Sequence, residues 1–346
     1  MRHPLKLLLL IVILATSCQK EELSTNHDEV FYVRTHGADM PVYLHGNTAS
    51  GAIVILLHGG PGDSGLGYRT GEYYKLLEKE FGVAYWDQRG QGGSHGHYSV
   101  DDVTIARMVE DLHAVVRVLK YRFGEDYSLF IMGHSWGGTL GTAYMLHQDY
   151  QHEVKGWIEV DGAHDIPLLN KEAIKMFISI GTSEIQQGNH VSKWTEIVNF
   201  ALSVDTNNIS FDEGDQINEY AFQAEELLDE VYPIPYSDIS GFSNAFLQPT
   251  NPLTSSLAGI NTDNLLYEEV ETTSYTDELN SITIPCLFLW GKYDFVVPPY
   301  LGQSAFDRVS STDKKLVLFE HSGHSPMDNE PEAFADEMIT FVNGHK

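Results

Sequence analysis

"LFIMGHSWGGTLGTAY", residues 129–144, carries an apolar run straight into glycines that flank a single serine, Ser135, and then into a second apolar stretch. The first part reads as a buried strand and the second as a helix, so Gly133-His134-Ser135-Trp136-Gly137 falls where one turns into the other. G-x-S-x-G at such a place is the nucleophile elbow, a sharp, strained bend that lifts a serine above the sheet. Small residues are needed beside it because a Cβ would collide with the neighbouring strand or helix. The competing reading makes Ser135 a small residue where a strand turns, and the motif by itself does not decide between them.

Working outward, "AIVILLHGG", "GVAYWDQRG", "YSLFIMGHS", "VKGWIEVDG", "IPCLFLWGK" and "KKLVLFEHS" are apolar runs that end in glycine or polar residues, as strands buried on both faces do. "EVFYVRT" and "MPVYLHG" read as a paired hairpin before them. Between the runs lie helical patterns, the clearest from Thr104 to Lys120, where Ile105, Met108, Val109, Leu112, Val115, Val116 and Leu119 recur at helical spacing. Strand, helix, strand implies an α/β fold with a mostly parallel sheet. The alternation stops between Asp165 and Asn280, where helical stretches such as Lys171 to Ile180 and Ala221 to Val231 surround a turn-rich "YPIPYSDISGFSNAFLQPTNP". This is read as an inserted helical cap, residues 166–280, within a core of residues 29–165 and 281–346.

Three stretches favour the catalytic reading of Ser135. "LLHGGPGDSG" follows a strand run where a glycine-rich loop can offer backbone N–H groups to an oxyanion; Gly60 and Trp136 are the expected donors, with Gly59 as the neighbouring alternative. Asp294, in "GKYDFVVP", and His324, in "HSGHSP", each follow an apolar run, so the chain order is serine, acid, histidine and all three lie at one sheet edge. The imidazole would take the serine proton and the carboxylate would hold its tautomer. Among 16 histidines and 49 acids, Asp161 is the rival acid, His321 reads as a partly buried loop residue, and His134 as packing under the elbow. Asp87 and Arg89 in "WDQRGQGGS" read as loop braces. No spaced cluster of metal ligands stands out, and neither metal nor cofactor is expected.

A formal net charge of −28 repels phosphate backbones and anionic lipid, which makes nucleic acid a poor partner. At the N-terminus, Arg2 and Lys6 precede the apolar "LLLLIVILA", too short to span a bilayer and similar to the core of a secretory signal. "ATSC" places small residues before Cys18, similar to the lipobox of bacterial lipoproteins, although Ala15 stands where leucine is usual. Residues 1–18 are thus expected as a lipoprotein signal with Cys18 lipidated, the alternative being a plain secretory signal cleaved nearby, and 19–28 as a polar tether. "QKEE" after Cys18 resembles the signal that sends lipoproteins to the outer leaflet of the outer membrane. A lipid anchor would be the only membrane contact. Cys286, the other cysteine, lies in apolar "IPCLFLW" and is expected as a buried thiol, which leaves no disulfide framework.

"HGGPG", "YWDQRGQGGS", "GHSWGGT", "GKYDFVVP" and "SGHS" together resemble the proline iminopeptidase branch of the α/β-hydrolase superfamily, over about residues 29 to 165 and 281 to 346. The resemblance implies the α/β-hydrolase fold, a mostly parallel central sheet flanked by helices with an inserted helical cap. It also implies Ser135, Asp294 and His324 as a triad with Gly60 and Trp136 as oxyanion donors. His134 departs from the branch, which typically has glycine there, and "SKWTE" matches its cap only poorly. The cap's about twenty acids, against three lysines and no arginine, suit recognition of a cationic N-terminal amine, with Glu225 and Glu226 as candidate substrate contacts. The expected function is an aminopeptidase that releases N-terminal proline or a small apolar residue by an acyl-enzyme mechanism. The alternatives are a carboxylesterase acting on small esters and an inactive surface binding protein.

Overall fold

A computed structural model describes residues 26–233 and 252–346. Two strands open it, β1 (Asn26–Thr35) and β2 (Ala38–Asn47), paired antiparallel from Asn26↔Asn47 to Thr35↔Ala38. β1 begins inside the stretch expected as tether, because Asn26, His27 and Asp28 find ladder partners in Asn47, Gly46 and His45. Backbone pairing here overrides a polar composition. Cys18 and the expected signal lie outside the described residues.

The remaining strands are β3 (Ala52–Leu57), β4 (Gly82–Trp86), the short β5 (His95–Gly96), β6 (Ser128–His134), β7 (Gly156–Val160), β8 (Cys286–Gly291) and β9 (Lys314–Phe319). They join one sheet in the order β1-β2-β4-β3-β6-β7-β8-β9, with β5 on β2. From β4 through β9 neighbours run parallel, and only the pairings made by β2 are antiparallel. The chain winds from β3 to β4 and then returns past β3 to β6, so strand order reverses there. The crevice outside the carboxyl ends of strands at such a reversal is where an open parallel sheet binds ligands.

Strands in the middle are apolar on both faces because each face has its own core. In β3, Ile53, Ile55 and Leu57 point to one side and Ala52, Val54 and Leu56 to the other. The first side is covered by α2 (Ile105–Phe123) and α3 (Trp136–Leu146), with Met108, Leu112, Val115 and Leu140 in contact with the sheet; the second by α1 (Tyr73–Glu80) and the C-terminal α10 (Pro331–His345), through Leu77, Phe334 and Met338. Thr104 caps α2 by accepting the N–H of Arg107 at 3.1 Å, and the chain leaves that helix at Gly124. Cys286 is a free, buried thiol at the start of β8.

Between β7 and β8 stand α4 (Ile166–Gln187), α5 (Val191–Ser203), α6 (Phe211–Val231) and α7 (Pro252–Glu271). Asp165 caps α4 and Gly188, at φ +86°, ends it. A reciprocal Ser210–Glu213 capping box starts α6. Trp194, Phe177 and Ile197 pack these helices together. No helix among the described residues is long and apolar enough to cross a membrane. Two more helices, α8 (Tyr300–Arg308) and the one-turn α9 (Pro326–Asn329), flank the last strands.

Asp87 and Arg89 are braces. Asp87 accepts the N–H groups of Gly65 and Gly93 at 2.7 and 2.6 Å. Arg89 grips both oxygens of Asp111 on α2 at 2.7 Å and donates to the carbonyls of Thr35 and His36, which ties the first hairpin to the loop after β4. Arg89 and Asp111 are fully buried, so removal of one strands the other's charge. Asp111→Ala is expected to cost about 3–5 kcal/mol in urea denaturation. A change below 1 kcal/mol, roughly that of an exposed pair, would mean that the pair braces nothing.

Candidate active site

Ser135 sits between β6 and α3 with φ +55° and ψ −120°, a conformation that side-chain-bearing residues rarely adopt. Three hydrogen bonds hold it: its N–H donates to the Val160 carbonyl at 3.1 Å, and its own carbonyl accepts from Gly138 at 2.8 Å and Ala163 at 3.0 Å. A Cβ on Gly137 would overlap the Leu57 carbonyl, and one on Gly133 would overlap that of Gly137. Strand, turn and helix can approach this closely only with glycine at both places.

His324 is brought to the same crevice by the loop after β9, and Asp294 by the loop after β8. A Cβ on Gly291 would overlap the Gly323 carbonyl, so glycine there lets the two loops touch. His324 Nδ1 lies 2.9 Å from Asp294 Oδ2, and Asp294 Oδ1 accepts the Val297 N–H at 2.7 Å. Because the carboxylate accepts, Nδ1 carries the proton and Nε2 presents a lone pair. Ser135, His134, His324, Gly59 and Gly60 line one cavity of about 430 Å³. Burial pushes the imidazole of His324 down, to about 4, against the charge of Glu225, so it stands as a neutral base at neutral pH.

Asp161, the rival acid, does not bond the histidine. Its Oδ1 accepts the Gly291 N–H at 2.8 Å, while Oδ2 is buried without a donor and the carboxyl interacts with that of Asp294. Burial pushes Asp161 well up, and the charge of Asp294 adds to the push. Two buried carboxyls side by side do not both ionise. Asp161 is the member that holds the proton, because its free oxygen can then donate to Asp294; that bond opposes the upward push that burial and Glu225 exert on Asp294, which faces His324.

The other expected residues fall in different places. Gly60 and Trp136 both line a second cavity with Ser135, of about 220 Å³, whereas the N–H of Gly59 is taken by the Tyr68 hydroxyl at 2.8 Å. Glu225 lines neither cavity that contains Ser135: its oxygens accept the N–H groups of Phe295 and His324 at 3.0 and 3.1 Å. It therefore clamps the acid loop to the histidine loop and is not a free carboxylate over Ser135. Glu226 is exposed on α6 and lines none of the described cavities. His321 is exposed, contrary to the half-buried loop residue expected, since only its backbone is tied down, to Glu330. A cavity of about 610 Å³ beyond Glu225 includes neither Ser135 nor Asp294. His134, Asp161 and His324 place ligand-type atoms within 4.8 Å of one another, but both nitrogens of His134 are engaged, by Tyr68 and by the His324 carbonyl.

Residues 52–331 match the family model for the alpha/beta hydrolase fold. The chain belongs to that family. It is thus a hydrolase of the alpha/beta family, and the similar proteins agree. The chain is 25% identical over 318 residues to the probable aminopeptidase YbaC of Bacillus subtilis, which covers 87% of this chain and 92% of that protein. It is 25% identical over 320 residues to a proline iminopeptidase of Saccharolobus solfataricus, across 90% and 91% of the two chains. The crystal structure of a proline iminopeptidase from Mycobacterium smegmatis superposes with a TM-score of 0.60 at 19% identity, covering 92% of this chain and 98% of the other, a likeness of fold alone.

The two carboxyls can be told apart by substitution. Asp294→Asn should lower kcat on an aryl ester by about 10⁴-fold, because the amide favours the wrong tautomer of His324. Asp161→Asn keeps an acceptor for Gly291 and offers an N–H to Asp294, so kcat should stay near that of the parent. The reverse ranking would give the orienting role to Asp161.

Proposed function

We propose that the protein is a serine aminopeptidase that releases an N-terminal proline or small apolar residue through an acyl-enzyme. Ser135 attacks the carbonyl carbon, His324 takes the hydroxyl proton and returns it to the leaving amine, and Asp294 holds the imidazole and stabilises its cation. The N–H groups of Gly60 and Trp136 receive the oxyanion. Water then attacks the acyl-enzyme carbonyl; His324 takes the water's proton and returns it to Ser135 Oγ as the acid product leaves.

The observation that carries the peptidase reading is the second cavity. Beside Ser135 it is lined by apolar Ile166, Leu169, Val270, Val296 and Val297 and by the acids Asp215, Asp263 and Glu271, of which Asp215 accepts the Tyr267 hydroxyl at 2.9 Å. No lysine, arginine or histidine lines it among the described residues. A small cavity lined by both apolar side chains and carboxylates suits one residue with a free ammonium group. These three acids, and not Glu225 or Glu226, are the amine contacts proposed. Gly214 makes room for them, since a Cβ there would lie 3.0 Å from Glu271 Oε2.

Glu271 also supplies a pH signature. Burial, with Asp215 and Asp263 adding repulsion, pushes its carboxyl up to about 7. The group is charged above that value and neutral below it, so attraction for the ammonium is lost as pH falls through about 7. For a prolyl arylamide, kcat/KM should rise across this range and fall again when the substrate amine loses its proton. Glu271→Gln should remove the lower step and reduce kcat/KM by about 30-fold. The N-acetylated arylamide should be a poor substrate at every pH; equal rates on the two would favour the esterase reading.

The cellular part of the proposal is a lipid anchor at Cys18, supported by the signal-like run before it and the acidic tether after it. Cys18→Ala should move the protein from the membrane to the soluble fraction, and unchanged membrane association would refute the anchor.

A further inference from the structure

His134, adjacent to the nucleophile, is buried and has a defined partner on each nitrogen. Tyr68 Oη lies 2.6 Å from Nδ1, and the backbone carbonyl of His324 lies 2.7 Å from Nε2. A carbonyl only accepts, so Nε2 carries the proton and Nδ1 is the acceptor. The Tyr68 hydroxyl must therefore donate to Nδ1, and its oxygen is left to accept the Gly59 N–H at 2.8 Å. Every member of the series has one possible direction: Gly59 N–H to Tyr68, Tyr68 O–H to His134, His134 N–H to the His324 carbonyl.

This series crosses the site. It begins in the loop that holds Gly60, passes through the residue before Ser135, and ends on the backbone of the imidazole-bearing residue. The rings of His134 and His324 are also in contact, with centroids 4.7 Å apart. Glu225 holds the N–H of the same His324 at 3.1 Å, so both backbone polar groups of that residue are tied to buried side chains. Burial and the neighbouring His324 hold His134 down, to about 3, which keeps the ring neutral and the direction of the series unchanged across the working range.

We infer that His134 and Tyr68 are positioning residues that fix the base, His324, relative to the oxyanion loop at Gly59-Gly60. The inference rests on the serine hydrolase reading of the site. Neither side chain needs to touch the reacting atoms. A shift of about 1 Å in the relation between base and oxyanion donors is enough to cost roughly 100-fold in rate. Tyr68 has a second effect: by occupying the Gly59 N–H it leaves Gly60 as the donor of that loop free to meet the oxyanion.

Amide substitutions at His134 separate the two arms. Asparagine can present an oxygen near the position of Nδ1 but does not reach the His324 carbonyl; glutamine can place an N–H near the position of Nε2. Steady-state hydrolysis of an aryl ester, alongside thermal unfolding, should give kcat lowered by roughly 10- to 100-fold with KM little changed in His134→Asn and Tyr68→Phe. His134→Gln, which keeps the arm to the His324 carbonyl but not the one to Tyr68, should recover part of the kcat lost in His134→Asn. Tyr68→Phe removes a single oxygen and retains the ring, so it reports on the series even where a His134 variant folds poorly. Unaltered kcat in Tyr68→Phe and His134→Asn would overturn the inference, as would a kcat that falls only in step with unfolding and is no better in His134→Gln. A parent protein whose ester hydrolysis survives Ser135→Ala would instead remove the hydrolase reading beneath it.

Discussion

The backbone of Ser135 is the constraint on which the site depends. A residue at φ +55° and ψ −120° stays there only if its surroundings leave it no alternative, and here β7, α3 and the turn after Val160 each hold it by one hydrogen bond. That requirement reaches far along the chain. Gly133 and Gly137 must lack side chains, β3 must lie against α3, and β7 must run beside β6 so that Val160 can receive the Ser135 N–H. The order of the central strands is thus the condition for one strained serine, and the reversal between β3 and β6 opens the crevice above it.

Around the serine, charge is sorted by depth. Asp161, Asp294 and Glu225 are crowded against one imidazole, each committed to backbone N–H groups at the end of β8 or in the loops after β8 and β9. Their joint repulsion places a proton on Asp161 and leaves Asp294 to face His324. Further out, Asp215, Asp263 and Glu271 line the cavity beside Ser135, and Asp215 accepts the hydroxyl of Tyr267 rather than a backbone N–H. The same residue type therefore braces the loops around His324 in one layer and lines the cavity beside Ser135 in the next.

Much of this was legible in the sequence, for a physical reason. Strands buried on both faces are unbroken apolar runs, so β3, β4, β6, β7 and β8 announce themselves, and the carboxyl ends of β6 and β8 are where Ser135 and Asp294 occur. His324 follows the more exposed β9, which is legible by its own apolar run. Glu225 was legible as an acid near the site but not in its role, since a helix's facing direction depends on how α6 packs against other helices. Asp215, Asp263 and Glu271 lie on two helices far apart in the chain, and only tertiary contact brings them to Ser135. Tyr68 carries no motif at all. Its partner His134 was visible as a departure, and two of the signals that could have found the pair were that unusual histidine and a tyrosine shortly after "HGGPG". The N-terminal strand was missed at its start because Asn26 to Asp28 are polar and owe their extended form to β2.

The central claim is that the elbow serine is the nucleophile, and covalent labelling tests it most directly. The protein would be incubated with a fluorophosphonate, digested, and the adduct located by mass spectrometry. The account predicts a single phosphonylated site at Ser135, lost in Ser135→Ala and slowed when His324 is replaced. Hydrolytically active protein that carries no adduct, or carries it on another residue, would contradict it.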